Sequence, residues 1–528
     1  MSRLKKFTHS LASGYMQIGV NMLYTLASIP LALHYLSAKE FALWQIAVTV
    51  AGYLLLIDFG LTDSMTRILM DHKDDPAGGA YGSVIKIGFV VCSIQGLLIT
   101  AAGIAVSFWM PQLVNLHAQF SSPGEVSAAT RALFFLTAGQ CLLQGFFFPA
   151  RVFWNLAVAH QRYDLYNYTQ IGSMILGFAA LWISFQEGAG IYSVLVAGAT
   201  SLSFGFCCSW VIAVRHGFLP PRGYWGKFDP GRFREIFLYG GNLFLMSLGS
   251  QLINASQILV ISHSLGLEAA AVWAVATKPF MAAQQLVGRI VFFACSPLCE
   301  MVVRGENERF LRRFRDLVIV SVSSAVFVAG SIALCNRSFL EVWLKGRPIL
   351  SAIHALWSPW NDALFALWFV TVCSTAIHVM AVGFNKQIGR MRYVYFCEGL
   401  IFVTASIFLA RPLGVSGIIL AAIAANILCS GVFGLYRTAV CYRISAYELL
   451  VGWMGTAAAY LVLFAPILIA CRFLTAPLPL LLRLATDAAV AAVIGLWLLW
   501  RVGLTPELRK ELRSIAGRGK TYLPKFFH

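Results

Sequence analysis

The stretch that decides the fold is His34–Leu61, HYLSAKEFALWQIAVTVAGYLLLIDFGL, an apolar run that ends at Asp58, Phe59, Gly60 and Leu61 and is followed by Asp63 and Arg67. A helix of about 20 apolar residues crosses about 30 Å of hydrocarbon, so the run reads as a membrane span that brings ionisable groups to membrane depth. Its front half recurs. His34, Leu36, Ala42, Trp44 and Ala47 are matched by His263, Leu265, Ala271, Trp273 and Ala276 at a constant offset of 229 residues, which points to a duplicated unit. Where the first copy carries Asp58 and Asp63, the second carries Lys278 and Arg289.

The rest of the chain agrees with a membrane span. Of 528 residues, 59% are hydrophobic and only 12% charged, and the mean hydropathy is +0.74. That leaves too little polar surface for a soluble globule. The apolar runs are long and unbroken, whereas a transmembrane barrel shows short alternating segments. The expected fold class is therefore an all-α polytopic membrane protein. About fourteen transmembrane helices are read, near 11–36, 41–66, 83–109, 128–150, 163–184, 190–214, 237–262, 269–299, 316–335, 359–384, 393–411, 415–436, 448–471 and 478–500. Leu11–Leu36 is too long for the apolar core of a cleaved signal peptide and reads as the first span.

The net charge of +17 is a topology signal rather than a nucleic-acid footprint. With the N-terminus inside, thirty of the forty basic residues fall in inward loops and tails, as the positive-inside rule requires. Both termini are thus expected on the cytoplasmic side of the membrane that the chain crosses many times. The basic, Pro- and Gly-rich loop His216–Arg234 reads as a hinge. The expected domains are a six-helix bundle at 1–215, a linker at 216–236, a second six-helix bundle at 237–440, two extra helices at 441–502 and a basic tail at 503–528. Six being even, both copies run the same way across the membrane, as parallel repeats.

Two cations inside one span are costly, at least about 2.5–3.5 kcal/mol each at the bilayer centre, and call for an explanation. Lys278 and Arg289 are eleven residues apart, about three turns or 16 Å, and share a helix face with Gln285 between them. The stripe suits the passage of a phosphate or pyrophosphate group. The structural alternative is that Lys278 snorkels to the interface while Arg289 pairs with Asp58. Asp58 has no basic residue at i+3 or i+4 and needs a partner from another helix, a proton or a cation. Asp63 and Arg67 are spaced for an i,i+4 salt bridge at the membrane edge, with gating as the functional alternative. Gln17 and Asn21, with Thr25 and Ser28, form a polar stripe on the first helix that must face protein or water. His378 and Glu398 are further candidates for coupling. His34 and His263 read as interfacial, and Arg483 with Asp487 as a structural pair. The twelve cysteines are scattered in apolar runs, with no His or Cys partners at metal-ligand spacing, so neither a metal nor a cofactor is expected.

The basic N-terminal segment, the apolar run ending at Pro30, and then LSAKEFALWQ and LLLIDFGLTDSMTRIL resemble the polysaccharide transporter (O-antigen and exopolysaccharide flippase) family of the multidrug/oligosaccharidyl-lipid/polysaccharide exporter superfamily. The resemblance implies two six-helix bundles around a cavity open alternately to either side. It implies as substrate an undecaprenyl-diphosphate-linked glycan moved between leaflets, without enzymatic chemistry. A polysaccharide polymerase or export machinery is the implied partner. Lys278 and Arg289 would then neutralise the diphosphate, with Gln285, Gln17 and Asn21 beside it, while Asp58 would couple to protons or sodium. Lipid II flippases of the same superfamily and cation-coupled multidrug exporters are the alternatives. A membrane-embedded glycosyltransferase or polymerase would need a large outward loop with acidic residues, and the longest loop read as outward has about twenty residues.

Overall fold

An apolar chain in hydrocarbon has no water to satisfy its main chain, and only intra-segment hydrogen bonding answers that need locally. The computed structural model describes residues 3–73, 75, 79–227, 229–384 and 390–522, without the side chains of 3–11, 63, 67, 71, 232, 235–243, 246, 293, 296, 303 and 515–522. Helices make up the regular structure of the described residues, and twelve of these segments are long and apolar enough to cross a membrane. The chain divides into two compact units, Met1–Ala274 with Arg347–Ala352, and Val275–Gly346 with Ile353–His528.

The first unit runs through α1 (Arg3–Tyr35), α2 (Ala38–Leu54), α3 (Leu61–His72), α4 (Ala80–Leu113), α5 (Pro123–Phe147), α6 (Arg151–Ala159), α7 (Tyr163–Gln186), α8 (Ser193–Arg215), α9 (Pro230–Asn254) and α10 (Ser256–Ser264) into α11 (Leu267–Ala276). The start of α2 is fixed by a capping box. Ser37 Oγ accepts from Glu40 N at 3.3 Å, and Glu40 Oε2 accepts from Ser37 N at 2.8 Å. In the later copy of this stretch Gly266, at φ 100°, turns the chain into α11, and Gln119 Oε1 accepts from Leu267 N at 2.6 Å in place of the serine. Ala42, Trp44 and Ala47 are buried, and so are Ala271, Trp273 and Ala276. The 229-residue offset therefore picks out positions that face protein in both copies.

The second unit contains α12 (Lys278–Val303), α13 (Asn307–Trp343), α15 (Pro359–Phe384), α16 (Met391–Asn426), α17 (Val432–Tyr442), α18 (Gly455–Thr475), α19 (Leu480–Leu498) and α20 (Pro506–Tyr522), with the short α14 (Ile349–Leu356) spanning the boundary between units. Some of its buried polar groups bond one another. Asp487, fully buried, accepts from Thr475 Oγ1 at 2.8 Å and lies 3.8 Å from Arg483, the expected i,i+4 pair. Glu398 accepts from Asn426 Nδ2 at 3.2 Å and from Ser430 N at 3.1 Å. His378 is buried against Phe314 with neither ring nitrogen bonded.

Several expected spans are broken rather than continuous. The span read at 41–66 is interrupted between Leu54 and Leu61, that at 237–262 at Ala255, and that at 269–299 at Thr277. The difference between fourteen expected spans and twelve candidates has two sources. Met391–Tyr442 counts as one 52-residue segment although Gly414, at φ 60° and ψ −142°, breaks it where the sequence reading placed a loop. The seventh expected span falls on α9, where many side chains lie outside the described residues.

A close helix contact in the first unit is that between α4 and α5. A Cβ on Gly145 would run into the Gly96 carbonyl oxygen and Thr100 Oγ1, and one on Gly96 into the Gly145 carbonyl. Small residues at such crossings allow close van der Waals packing in a membrane. Gly145→Ala is expected to destabilise the protein by about 1–3 kcal/mol through overpacking, read as a lowered thermal midpoint of the purified protein in detergent. Gly124→Ala, where an added Cβ meets nothing within 4 Å, is expected to leave the midpoint unchanged.

Candidate functional site in the broken helices

The helix expected to run through Asp58 stops there. After α2 the chain tightens into a 3₁₀ turn, Leu55–Asp58, and then adopts left-handed backbone at Phe59 (φ 51°) and Gly60 (φ 69°) before α3 begins. Glycine takes that conformation freely. For the bulky Phe59 it is an outlier that surrounding contacts must hold. Its ring packs on Phe244 of the same unit, with centroids 4.6 Å apart.

Breaking a helix strands main-chain carbonyls, and in a membrane these need internal donors. Gln95 of α4, buried, supplies them: its Nε2 donates to both the Ile57 and Asp58 carbonyls at 2.9 Å. Asn155 Nδ2 of α6 donates to the Thr62 carbonyl at 3.3 Å. The Asp58 carboxylate accepts a hydrogen bond from Thr62 Oγ1 and lies 3.9 Å from Arg151 Nη1, both side chains being mostly shielded. The Arg151 guanidinium also sits over the Phe148 ring at 4.3 Å. Asp58 thus finds its partner on another helix, and within its unit that partner is Arg151. Arg151 is one of the thirty basic residues read as inward, and it lies inside the candidate span Pro123–Ala159.

Asp63 and Arg67 are on α3, but their side chains lie outside the described residues. Gln17 and Asn21 are half-buried on α1, and their side-chain amides make no hydrogen bond among the described residues. The face of α1 that packs on α7 is marked by Asn167 Nδ2, which donates to Ser13 Oγ at 3.0 Å. At the helix ends, His34 Nδ1 lies 2.6 Å from Arg347 Nη1, and His263 Nδ1 lies 2.9 Å from the Leu113 carbonyl.

The other expected residues belong to the second unit and share one helix. Lys278 opens α12 directly after the break at Thr277, with Pro279 next to it. Arg289 lies three turns on, over the ring of Phe292 at 5.6 Å, and Gln285 between them is exposed. Neither Lys278 nor Arg289 forms an ion pair among the described residues. The break is again served by an amide: Asn336 Nδ2 donates to the Ala276 carbonyl at 3.1 Å and to Asp362 Oδ1 at 2.7 Å. Trp357 Nε1 also donates to Asp362 Oδ1, at 2.8 Å. Asp362 and Asn336 are buried, while Asp362 Oδ2 has no hydrogen-bond partner among the described residues.

Gln95, Arg151, Asn336 and Asp362 were thus not singled out from the sequence. A signal for Gln95 was present, an amide in the middle of an apolar run. Nothing local in the sequence says that its target is a carbonyl 38 residues earlier.

The family model described as polysaccharide biosynthesis protein matches residues 9–302, more than half of the chain. The chain belongs to that family, and it is a multi-pass membrane protein with the fold of the multidrug and flippase transporters. A solved structure of the lipid II flippase MurJ, inward closed, is similar at 10% identity with a TM-score of 0.62, covering 93% of this chain and 98% of that one. An inward-facing multidrug resistance transporter of the MATE family and MOP superfamily is similar at 13% identity with a TM-score of 0.58, covering 80% and 96%. A MOP superfamily transporter from Pyrococcus furiosus, described as having a binding pocket of reverse polarity, follows at 15% identity and 0.50, covering 82% and 96%. At these identities the likeness is one of fold. A search of the curated proteins finds no match.

Gln95→Leu is expected to cost about 1–3 kcal/mol, because two buried carbonyls lose their donor. Gln95→Glu is expected to cost at least as much, since a carboxylate cannot donate. Thermal unfolding in detergent reads both, and a Gln95→Leu protein as stable as wild type would contradict the capping role.

Proposed function

We propose that the protein is a flippase that moves a polyprenyl-diphosphate-linked oligosaccharide across the bacterial cytoplasmic membrane by alternating access, for O-antigen, capsule or exopolysaccharide biosynthesis. The observation that carries this reading is the pair Lys278 and Arg289 on one membrane helix without ion-pair partners among the described residues, in a chain of the polysaccharide biosynthesis family. A diphosphate is the natural counter-charge for such a stripe, because a low-dielectric setting strengthens attraction to phosphate oxygens. Gln285, Gln17 and Asn21 are the neutral polar groups assigned to the same ligand. The bias of basic residues toward one set of loops supports cytoplasmic termini.

Asp58 is the coupling group in this reading. Its carboxylate is held by Thr62 and Arg151 at a turn of unusual backbone, so binding a proton or sodium there would weaken the hold of Arg151 and bias the turn. Asp63 and Arg67 are assigned to gating beside it. A lipid II flippase is the second reading, ranked lower because the first span, 11–36, lacks the arginines expected of one and carries Gln17 and Asn21 instead.

Native mass spectrometry of the protein from its own membrane, in mild detergent, tests the substrate class. Wild type is expected to retain a polyprenyl-diphosphate glycan that the Lys278→Ala/Arg289→Ala variant loses by at least about tenfold, the effect of one charge-assisted bond. Arg289→Lys is expected to retain part of it, since charge matters more than the guanidinium fork. Retained lipid II would select the second reading. Cationic small molecules bound equally to wild type and variant, with no diphosphate lipid, would contradict both.

A further inference from the structure

At one end of the second unit, away from α12's cations in the chain, four arginines converge on a cavity of about 740 Å³. Arg312, Arg313 and Arg315 come from the start of α13, and Arg443 follows α17. Arg313 Nη1 lies 2.7 Å from Glu511 Oε2 and 3.6 Å from Asp316, and Arg315 Nη2 lies 4.0 Å from Glu507. Arg312 and Arg443 make no hydrogen bond or ion pair among the described residues. The Nε of Arg315 is buried without a hydrogen-bond partner among the described residues. Arg443 holds a left-handed backbone, φ 55°, a place where glycine or asparagine usually ends a helix. An arginine kept there at a steric cost needs a reason.

Half of the cavity's counter-charge comes from a separate element. Asp316 and Glu448 belong to the body of the unit, whereas Glu507 and Glu511 belong to α20. These two are i,i+4 neighbours on one face of α20, and Leu508 beside them is buried. Arg509, Lys510 and Arg513 occupy the helix's other positions. The Arg313 hydrogen bond holds the Glu511 carboxyl below the usual glutamate range. With α20 in place four guanidinia meet four carboxylates. With α20 released, two positive charges are left uncompensated.

We propose that this cavity is a binding site for a phosphate oxyanion, and that Glu507 and Glu511 of α20 are its internal competitors. Guanidinium forks match the geometry of phosphate oxygens. The cavity also carries Tyr442 and Trp453 and adjoins the ends of two candidate spans, Asn307–Trp343 and Met391–Tyr442. Aromatic rings and basic pockets at such a level are where phospholipid headgroups sit. The membrane is therefore the first source of the phosphate, and free phosphate the second. When the oxyanion enters, Arg313 and Arg315 exchange their carboxylate partners for it and α20 is freed at its first turns.

Hydrogen exchange of the amides between Glu507 and Ser514, in the full chain in phosphatidylcholine nanodiscs, tests the site. Adding phosphatidylglycerol is expected to raise exchange by at least about tenfold, the loss of one charge-assisted pair. Arg312→Ala/Arg443→Ala, verified as folded by its thermal midpoint, is expected to lose that response. Glu511→Gln, with the competitor weakened, is expected to exchange faster without added lipid. The same rise on adding inorganic phosphate or pyrophosphate to phosphatidylcholine nanodiscs would assign the site to free phosphate. No response to any of the three anions would overturn the proposal. So would an equal response in the double variant, which would reduce the effect to attraction of Arg509, Lys510 and Arg513 to a charged surface.

Discussion

A helix can be broken inside a membrane only if something else satisfies the carbonyls that the break exposes, and here that service falls to side-chain amides. Gln95 bonds the Ile57 and Asp58 carbonyls, and Asn336 the Ala276 carbonyl. Gln119 does the same where α4 ends, donating to the Val114 carbonyl at 2.6 Å and to the Ser262 carbonyl at 3.1 Å. Gln95 and Asn336 are themselves buried on their helices, so the breaks they serve are part of the packed structure rather than frayed ends.

The breaks and the ionisable groups coincide. Asp58 is the last residue of the turn that Gln95 secures, and Lys278 is the first residue after the break that Asn336 secures. In the first unit the carboxylate is compensated by Arg151. In the second, a buried carboxylate, Asp362, shares the amide of Asn336 with the broken main chain. The same Asn336 amide thus ties the Asp362 carboxylate to the Ala276 carbonyl at the break.

Composition and unbroken apolar runs made the all-helical membrane architecture legible, because crossing hydrocarbon demands the same length and polarity wherever it occurs. The 229-residue repeat was legible for a packing reason, since its matched positions, Trp44 with Trp273 and Ala42 with Ala271, are buried. The charged residues were found because charge in a span is conspicuous. The amides were not, and neither was the role of Arg151. A donor's target depends on a fold that brings together residues 38 or 60 positions apart, and no local pattern encodes that. The breaks at Asp58 and Thr277 were read through because the apolar runs continue across them, although Gly60 and Pro279, the poorest helix formers, stand beside them.

The most direct test of the account is translocation by the purified protein in vesicles loaded with a polyprenyl-diphosphate-linked oligosaccharide, scored by the fraction of glycan open to a membrane-impermeant glycosidase. A flippase is expected to render the inner-leaflet glycan accessible, at a rate set by the amount of protein reconstituted. If that pool stays protected while the same vesicles move a cationic dye, the protein carries small cations and the diphosphate account is wrong.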